Sequence, residues 1–453
     1  MLQSATPAWS GRLAFVLASI GAAVGLGNIW KFPYTLGSSG GSAFVVIYVS
    51  AILLVATPIM LAEMMIGRRA AASAPTALAQ VARDTGSSPR WSLLGWMGLF
   101  AVLLVLSFYS VIAGWTLAYL LKFVSGAMSG LDGAAVGANF GAFLADPLPM
   151  TLWHLLFTAI TVAVIARGVR SGLERVVTVV MPALFLMLLG LVVYAGIAGD
   201  FGTALDFLFQ PDFSQITAAV VLAAVGQAFF SVNVGVGTVL TFSAYLPRDV
   251  NLTRAAVTIS LGDTLVALLA GLAIFPIVFA NGLDPAQGPG LVYVTLSTAF
   301  AQMPGGTLVA CAFFIMLFFA ALSSSIAMLE TLTAKLTERW PRPRAAATIG
   351  ATTFVLGIVT VLSFSSWQDV YPLGGFAAFA GKTPFDLIDY LVSNLLMPLG
   401  GVGFALFAGW RLGRELQIAE LGVGDGGLYQ LWLLLVRFFA PLAVAVVLLF
   451  NLA

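Results

Sequence analysis

The sequence predicts an all-α integral membrane protein with about eleven transmembrane helices. The first reason is composition, because 60% of the 453 residues are hydrophobic and only 9% are charged. An average soluble domain is about 25% charged. The second reason is a series of apolar stretches, each long enough to cross a bilayer. The third is a bias of the basic residues toward one side of the predicted membrane.

A spanning helix needs about 20 mostly apolar residues. Stretches that meet this requirement follow one another from residue 12 to residue 451. The predicted helices are 12–37, 42–67, 92–123, 149–167, 173–197, 214–246, 254–281, 305–337, 345–365, 384–411 and 428–451.

The basic residues orient these helices. If the N-terminus lies in the cytoplasm, the loops and helix ends on that side contain nearly all the arginines, and the opposite side contains only Lys122 and Lys382. This distribution agrees with the positive-inside rule. An odd number of helices then places the C-terminus outside.

The composition disfavours several functional classes. A net charge of +1 offers no basic surface for nucleic acid. His154 is the single histidine and Cys311 the single cysteine, so the chain has neither a zinc cluster nor an internal disulfide. No nucleophile and base can be placed together, and we expect no enzymatic activity. A channel or a structural membrane protein stays open as an alternative.

Two of the predicted helices contain matching breaks. The motif V-G-x-G occurs at 24–27 in the first helix and at 234–237 in the sixth. Interrupted helices at corresponding places of inverted repeats indicate a transporter's central site, because unwound backbone must be satisfied by ions, ligand or protein. We therefore expect a single domain over 1–453, with five-helix halves at 12–197 and 214–411 and an extra helix at 428–451. Close helix packing is the alternative explanation for such glycines.

The segments around these breaks resemble the neurotransmitter:sodium symporter family, whose bacterial amino-acid members define the LeuT-type fold. The motifs that carry the resemblance are GAAVGLGNIWKFPY (21–34), GGSAF (40–44), GQAFFSVNVGVG (226–237) and FFAALSSSIAM (318–328). The resemblance implies a LeuT-type 5+5 inverted repeat with broken helices 1 and 6, in the plasma membrane of a bacterium. It also implies sodium-coupled symport of an amino acid by alternating access.

The resemblance implies two sodium sites. The first would use the carbonyl of Ala23 and the side chains of Asn28, Ser231 and Asp263, completed by the substrate carboxylate. The second would use the carbonyls of Gly21, Val24 and Ala320 with the hydroxyls of Ser323 and Ser324. Both sets contain only oxygen, which suits a hard monovalent cation.

Glycine at position 25 implies an α-amino acid, because biogenic-amine members carry Asp there. The substrate carboxylate would meet the N–H groups of helix 1 and the Tyr109 hydroxyl. We expect a hydrophobic or small neutral L-amino acid, with Asn233 either bonding it or narrowing the pocket. The substrate-binding residues are predicted to be Ala23, Gly25, Leu26, Gly27, Val105, Tyr109, Phe230, Ser231, Asn233, Val236, Ser324 and Met328.

The resemblance also bears on chloride. Chloride-dependent relatives hold the anion with residues that correspond here to Tyr48, Gln227 and Ser231, plus a serine where this chain has Ala267. Asp263, one turn earlier, would supply the negative charge itself. We therefore expect no chloride requirement. A protonated acid with a purely structural hydrogen bond is the alternative.

Gate positions follow from the same resemblance. Lys31 and Asp389 match the outer pair, with Asp386 as an alternative partner for the lysine. Trp9, Tyr245 and Glu338 match the inner gate, where Thr6 replaces the usual arginine. The expected partners are thus an amino acid, two sodium ions and membrane lipid, with no nucleic acid. Proton coupling through Asp263 or Glu63 is the competing mechanism.

Overall fold

A computed structural model describes residues 9–286 and 290–452, except for the side chains of Ala378 and of residues 450–452. The described residues are almost entirely helical and contain no β-strand. Nine of their helices are unbroken, long and apolar enough to span a membrane. A bent pair near the N-terminus forms a tenth span, and a second broken helix occupies the sixth place in the chain.

We number the spans α1 to α11 in chain order and divide the two broken ones into parts a and b. The bounds are α1a Arg12–Ala23, α1b Gly27–Ser38, α2 Ser42–Ala70, α3 Pro89–Val124, α4 Pro147–Ala166, α5 Val169–Ala198, α6a Ala218–Val232, α6b Thr238–Ser243, α7 Leu252–Ala280, α8 Gly306–Leu336, α9 Arg342–Phe364, α10 Pro384–Trp410 and α11 Gly427–Leu449. Shorter helices between them are Ala74–Asp84, Gly133–Ala145, Phe201–Phe209, Leu291–Gln302 and Arg414–Leu421.

The predicted multi-pass helical architecture is confirmed, with helix ends within a few residues of those expected. Each apolar run forms a helix because a backbone in lipid has to satisfy its own hydrogen bonds. We call the end of the bundle where α1a begins and α2 ends the arginine-rich end. It carries Arg68, Arg167, Arg175, Arg254 and Arg342 at the ends or starts of their helices.

The broken helices lie at the centre of the bundle. α1a packs against α5, α7 and α8, whereas α6a and α6b pack against α2. α3 and α8 lie side by side along their length and close the core around the breaks. Every residue from 18 to 30 is buried. The backbone that leaves the helix in α1 is therefore surrounded by protein and does not face lipid.

Candidate binding site at the helix breaks

The break in α1 is short. Val24 is extended, with φ −70° and ψ 106°, and the axes of α1a and α1b are bent by 47°. A Cβ atom on Gly25 would collide with the Ser324 hydroxyl and would lie 2.6 Å from the Tyr109 hydroxyl. Because no side chain fits there, glycine at position 25 is required by the close approach of α3 and α8. The break predicted at residues 24–27 is narrower in the structure, since Gly27 already lies in a π-helical turn.

This break leaves backbone groups of α1 without helical partners, and side chains take their place. The Gly25 amide donates to the Asn28 side-chain oxygen at 3.2 Å. The Leu26 amide donates to the Tyr109 hydroxyl at 3.1 Å. The carbonyl of Ala22, which would accept from Leu26 in a regular helix, instead accepts from the Asn233 side chain at 3.2 Å. Asn233 thus connects the two broken helices.

One acid accepts hydrogen bonds from the backbone amides that the break in α6 frees. Asn233 has φ 58° and Gly235 has φ 87°, left-handed conformations that end α6a. The freed Gly235 amide donates to one carboxylate oxygen of Glu63 at 2.6 Å, and the Leu240 amide reaches the other at 3.4 Å. Glu63 is completely buried in α2. Its partners explain why this acid lies within the membrane, because it caps the N-terminal end of α6b.

Five oxygens from α1a, the break that follows it and α8 form what we call the Ser323 cluster. The Ser323 hydroxyl donates to the carbonyls of Val24 at 3.3 Å and Ala320 at 3.0 Å. The Ser324 hydroxyl donates to the carbonyls of Gly21 at 3.3 Å and Val24 at 3.1 Å. The structure therefore brings together all the residues predicted for the second sodium site, and none of them carries a formal charge.

A second group, the Asp263 cluster, joins α1b, α2, α6a and α7. The Asn28 amide donates to one Asp263 carboxylate oxygen at 2.7 Å and to the Ser231 hydroxyl at 3.0 Å. The other carboxylate oxygen accepts from Ser231 at 2.6 Å and from Tyr48 at 3.2 Å. The structure places three of the four residues predicted for the first sodium site in direct contact. The fourth, Ala23, lies in the wall of the adjoining cavity.

Gln227 was expected beside Tyr48 and Ser231, but its amide is directed elsewhere. Its nitrogen donates to the Gly27 carbonyl at 2.7 Å. The glutamine therefore holds the start of α1b and makes no hydrogen bond to Asp263 among the described residues. The sequence does not reveal which partner the glutamine binds, because a glutamine amide could donate to Asp263 as well as to the Gly27 carbonyl.

A small cavity lies between the breaks, with a volume of about 20 Å³. This is close to the space that one water molecule requires, so the cavity is smaller than an amino acid. Of the twelve predicted substrate-binding residues, Leu26, Ser231 and Val236 are not part of its wall. Met397 of α10 was missed. The wall is formed by Ala23, Gly25, Gly27, Val105, Tyr109, Phe230, Asn233, Ser324, Met328 and Met397.

Above this cavity, at the end of the bundle opposite the arginine-rich one, Lys31 pairs with Asp389 at 3.5 Å. The ammonium also lies 4.1 Å from the centre of the Phe230 ring, which itself forms part of the cavity wall. Ser393 donates to Asp389 at 2.9 Å and extends the contact. Asp386, considered as an alternative partner for Lys31, instead caps the start of α10 in a capping box. The predicted outer pair is therefore formed and covers the cavity.

The arginine-rich end is closed by a different set of contacts. The Trp9 indole donates to the Phe242 carbonyl at 3.1 Å, and its backbone amide donates to the Tyr245 carbonyl at 3.3 Å. The Tyr245 hydroxyl donates to Glu330 at 2.8 Å, and Glu330 pairs with Arg342 at 2.6 Å. These contacts connect the residues before α1a to α6b, α8 and α9.

Glu338 is not part of that group. It pairs with Lys335, one turn earlier, at 2.6 Å and accepts from Ser73 at 2.5 Å. Partial burial would raise the pKa of Glu338, but the hydrogen bonds from Lys335 and Ser73 outweigh it and lower that pKa. Thr6 lies outside the described residues. Arg12 forms no ion pair in the described part of the chain, and the basic partner of Glu338 there is Lys335 of α8.

Comparison with known proteins identifies the arrangement. Residues 6–130 and 141–452 match the Sodium:neurotransmitter symporter family. The chain belongs to this family. The crystal structure of MhsT in complex with L-phenylalanine superposes with a TM-score of 0.90 at 40% identity and covers 98% of this chain and 99% of MhsT. The predicted family and LeuT-type fold, with helices 1 and 6 broken, are confirmed.

Two similar proteins carry names that describe sodium-dependent transporters. An uncharacterized sodium-dependent transporter of Bacillus subtilis, YhdH, is 40% identical over 444 residues, which is 97% of this chain and 96% of its own length. An uncharacterized sodium-dependent transporter of Haemophilus influenzae is 33% identical over 453 residues, which is 98% of each chain. This symporter-family protein is therefore a membrane transporter and not an enzyme, as the sequence predicted.

Proposed function

We propose that this protein imports a neutral, hydrophobic L-amino acid together with sodium, by alternating access and without chloride. The observation that carries the proposal is the Ser323 cluster, where helix carbonyls and hydroxyls converge at an unwound turn. Such a neutral oxygen shell suits a monovalent hard cation. The shell directly adjoins the central cavity, because Ser324 belongs to both.

The groups around Gly25 support an amino-acid zwitterion. Near this position the substrate carboxylate would take over the Leu26 amide and the Tyr109 hydroxyl, which contact each other in the structure. Freed N–H groups at the start of a half-helix favour anionic substrate groups. The amino group would face carbonyls of the same breaks. L-phenylalanine occupies the related MhsT structure, which supports the same substrate class here.

The remaining wall favours a hydrophobic side chain. Val105, Met328 and Met397 contribute apolar surface, and Phe230 covers the cavity from the Lys31 side. Asn233 is the polar exception, but its amide nitrogen is already bonded to a backbone carbonyl. We infer that Asn233 limits the size of the substrate and holds the two breaks together.

Asp263 supports chloride independence. Its carboxylate lies in hydrogen-bond contact with Asn28 and Ser231, two side chains proposed to hold sodium. A fixed negative charge there balances the cation and removes the need for a bound anion. Two oxygen clusters favour two sodium ions per cycle. We also propose that α1–α5 and α6–α10 are inverted halves, each beginning with a broken helix, and that the arginine-rich end faces the cytoplasm of a bacterial cell.

Reconstituted vesicles provide the test. Uptake of labelled phenylalanine, leucine and alanine is measured with an inward sodium gradient and with choline in its place. The double variant Ser323→Ala/Ser324→Ala should lose sodium-driven uptake. Ser325→Ala is the matched control, because Ser325 is equally buried but bonds to Thr161 at 3.0 Å and not to α1a. It should keep uptake near the wild-type level.

A thermal melt of each variant in detergent tests whether the variant is still folded. Sodium and the transported amino acid together should raise the melting temperature of wild type and Ser325→Ala, since ligands that bind only the folded state stabilise it. Uptake that persists in choline at fixed pH would favour proton coupling through Asp263 or Glu63. Equal sodium dependence of the double variant and wild type would reject the assigned cluster.

A further inference from the structure

A wide groove lies at the arginine-rich end, where α4 turns into α5, far in sequence from both breaks. Its volume is about 670 Å³, and it lies between the last turn of α4 and the first turns of α5. Its lining residues are Val164, Arg167, Ser171, Gly172, Arg175, Val176, Val179 and Val180. The lining thus combines valines on the α5 side with two arginines near the helix ends.

The apolar side of the groove faces the hydrocarbon region. Only 39% of the most apolar window of α4 and 33% of that of α5 is buried inside the protein, compared with 78% for α3. Val179 is 67% exposed within this wall. Since α4 and α5 are membrane spans, surface that the protein leaves uncovered there is covered by lipid chains.

The polar side carries two unpaired positive charges. Arg167 and Arg175 are both exposed, and neither guanidinium has a hydrogen bond or ion pair within the described residues. The acid of the same turn, Glu174, does not neutralise them. It is buried and bonded to the amide and hydroxyl of Ser10, ahead of α1a. The groove therefore presents positive charge where the membrane surface begins.

We propose that this groove binds an anionic phospholipid, with its phosphate at Arg167 and Arg175 and an acyl chain along the valines. Guanidinium groups suit phosphate because they offer several donors in a fixed plane. Basic pockets between transmembrane helices are known positions for acidic lipid headgroups. A zwitterionic lipid would supply the chain contacts without the net charge, so the site should discriminate between the two lipid classes.

The position of the groove connects a bound lipid, through the turn between α4 and α5, to the start of α1a. Its floor includes Gly172, and two residues later Glu174 holds Ser10 at the entry to α1a. A headgroup bound to the lipid-facing surface of this turn would stabilise the turn. Through Glu174 it would also stabilise the start of α1a. Binding of phosphatidylglycerol should therefore raise the melting temperature of the whole protein.

Native mass spectrometry of the detergent-purified protein with added phosphatidylglycerol or phosphatidylcholine tests the binding. Each basic residue near an anionic lipid contributes about 1 kcal/mol, or roughly fivefold in affinity. The double variant Arg167→Gln/Arg175→Gln should thus bind phosphatidylglycerol roughly 30-fold more weakly. Arg83→Gln/Arg90→Gln is the matched control, since it removes two exposed arginines on the same end outside the groove and should bind as wild type does.

Further measurements distinguish an anionic phospholipid from other occupants of the groove. Arg167→Lys/Arg175→Lys keeps the charge and should recover part of the affinity. Soluble glycerophosphoglycerol lacks acyl chains and should not compete at millimolar concentration. The proposal is overturned if phosphatidylcholine binds as tightly as phosphatidylglycerol, or if the control pair loses as much affinity as the groove pair. It is also overturned if the groove variants change the oligomeric state of the protein without changing lipid binding, which would make a second copy the occupant.

Discussion

Asp263 offers the sharpest test of how this transporter holds sodium. Its two carboxylate oxygens accept hydrogen bonds from Asn28 at 2.7 Å, Ser231 at 2.6 Å and Tyr48 at 3.2 Å. Two variants perturb the acid differently. Asp263→Asn removes the charge and keeps the volume, whereas Asp263→Ser removes the charge and opens space beside two hydroxyl donors.

The expected magnitude follows from these contacts. A cation held by the side-chain oxygens of Asn28 and Ser231 would lie within about 5 Å of the Asp263 carboxylate. At an effective dielectric constant of about 20, a charge pair at that distance is worth about 3 kcal/mol. Loss of the charge should therefore raise the sodium concentration for half-maximal uptake by roughly two orders of magnitude.

The assay is uptake of labelled amino acid into proteoliposomes over a range of sodium concentrations, with chloride or gluconate as the anion. Wild type should be equally active in both. Asp263→Asn should be weak in both, because its amide fills the space an anion would need. Asp263→Ser should be weak in gluconate and partly restored by chloride, because Tyr48 and Ser231 can then donate to the anion.

Ser260→Ala controls for general damage to α7. Ser260 is buried one turn before Asp263 and bonds to Thr57 at 2.7 Å, so its loss leaves the charge in place. It should keep wild-type sodium affinity and chloride independence. Wild-type sodium dependence in both Asp263 variants would refute the reasoning, as would a requirement of the wild-type protein for chloride.

Three further outcomes are expected. Gly25→Ala should abolish substrate-induced thermal stabilisation, since its Cβ would lie 2.6 Å from the Tyr109 hydroxyl, whereas Gly226→Ala, with no atom within 4 Å of its Cβ, should retain it. Lys31→Gln should weaken apparent substrate affinity by no more than about fivefold in transport assays, because its aspartate partner is 35% exposed and such ion pairs contribute about 0–1 kcal/mol. Glu338→Gln should lower the melting temperature at pH 7, and this loss should shrink as the pH falls, because the folded state lowers the pKa of Glu338 and the resulting stabilisation disappears once the acid is protonated in the folded protein. A loss of melting temperature that does not change with pH would contradict this reasoning.

The overall fold could be predicted from the sequence because membrane helices obey a strong local rule. A run of about 20 apolar residues has to form a helix in lipid, and the spans match their predicted positions within a few residues. The breaks were equally visible, since Gly25 and Gly235 interrupt apolar runs. At Gly25 the tertiary contacts with α3 and α8 leave no room for a Cβ, and Gly235 adopts a positive φ.

The parts that could not be predicted depend on which helix faces which. Met397 is an apolar residue in an apolar span, so nothing local distinguishes it from its lipid-facing neighbours. The partner of Gln227 was hidden for a related reason, because this side chain has several acceptable partners and only the packing of α1b against α6a selects one. The pairing of Glu338 with Lys335 is different, since the two residues are three apart in sequence and their contact is local.

The two breaks solve the same backbone problem in different ways, and the difference bears on mechanism. In α6, the freed amides of Gly235 and Leu240 are bonded to the two side-chain oxygens of Glu63, which is buried in α2. In α1, the freed carbonyls of Gly21 and Val24 accept, among the residues that the structure describes, from serine hydroxyls alone, at 3.1–3.3 Å. A hydroxyl is a neutral donor that can rotate away, so a cation can take over those carbonyls at little cost. We infer that the α6 break is a fixed support and that the α1 break is where ion binding exchanges one set of partners for another.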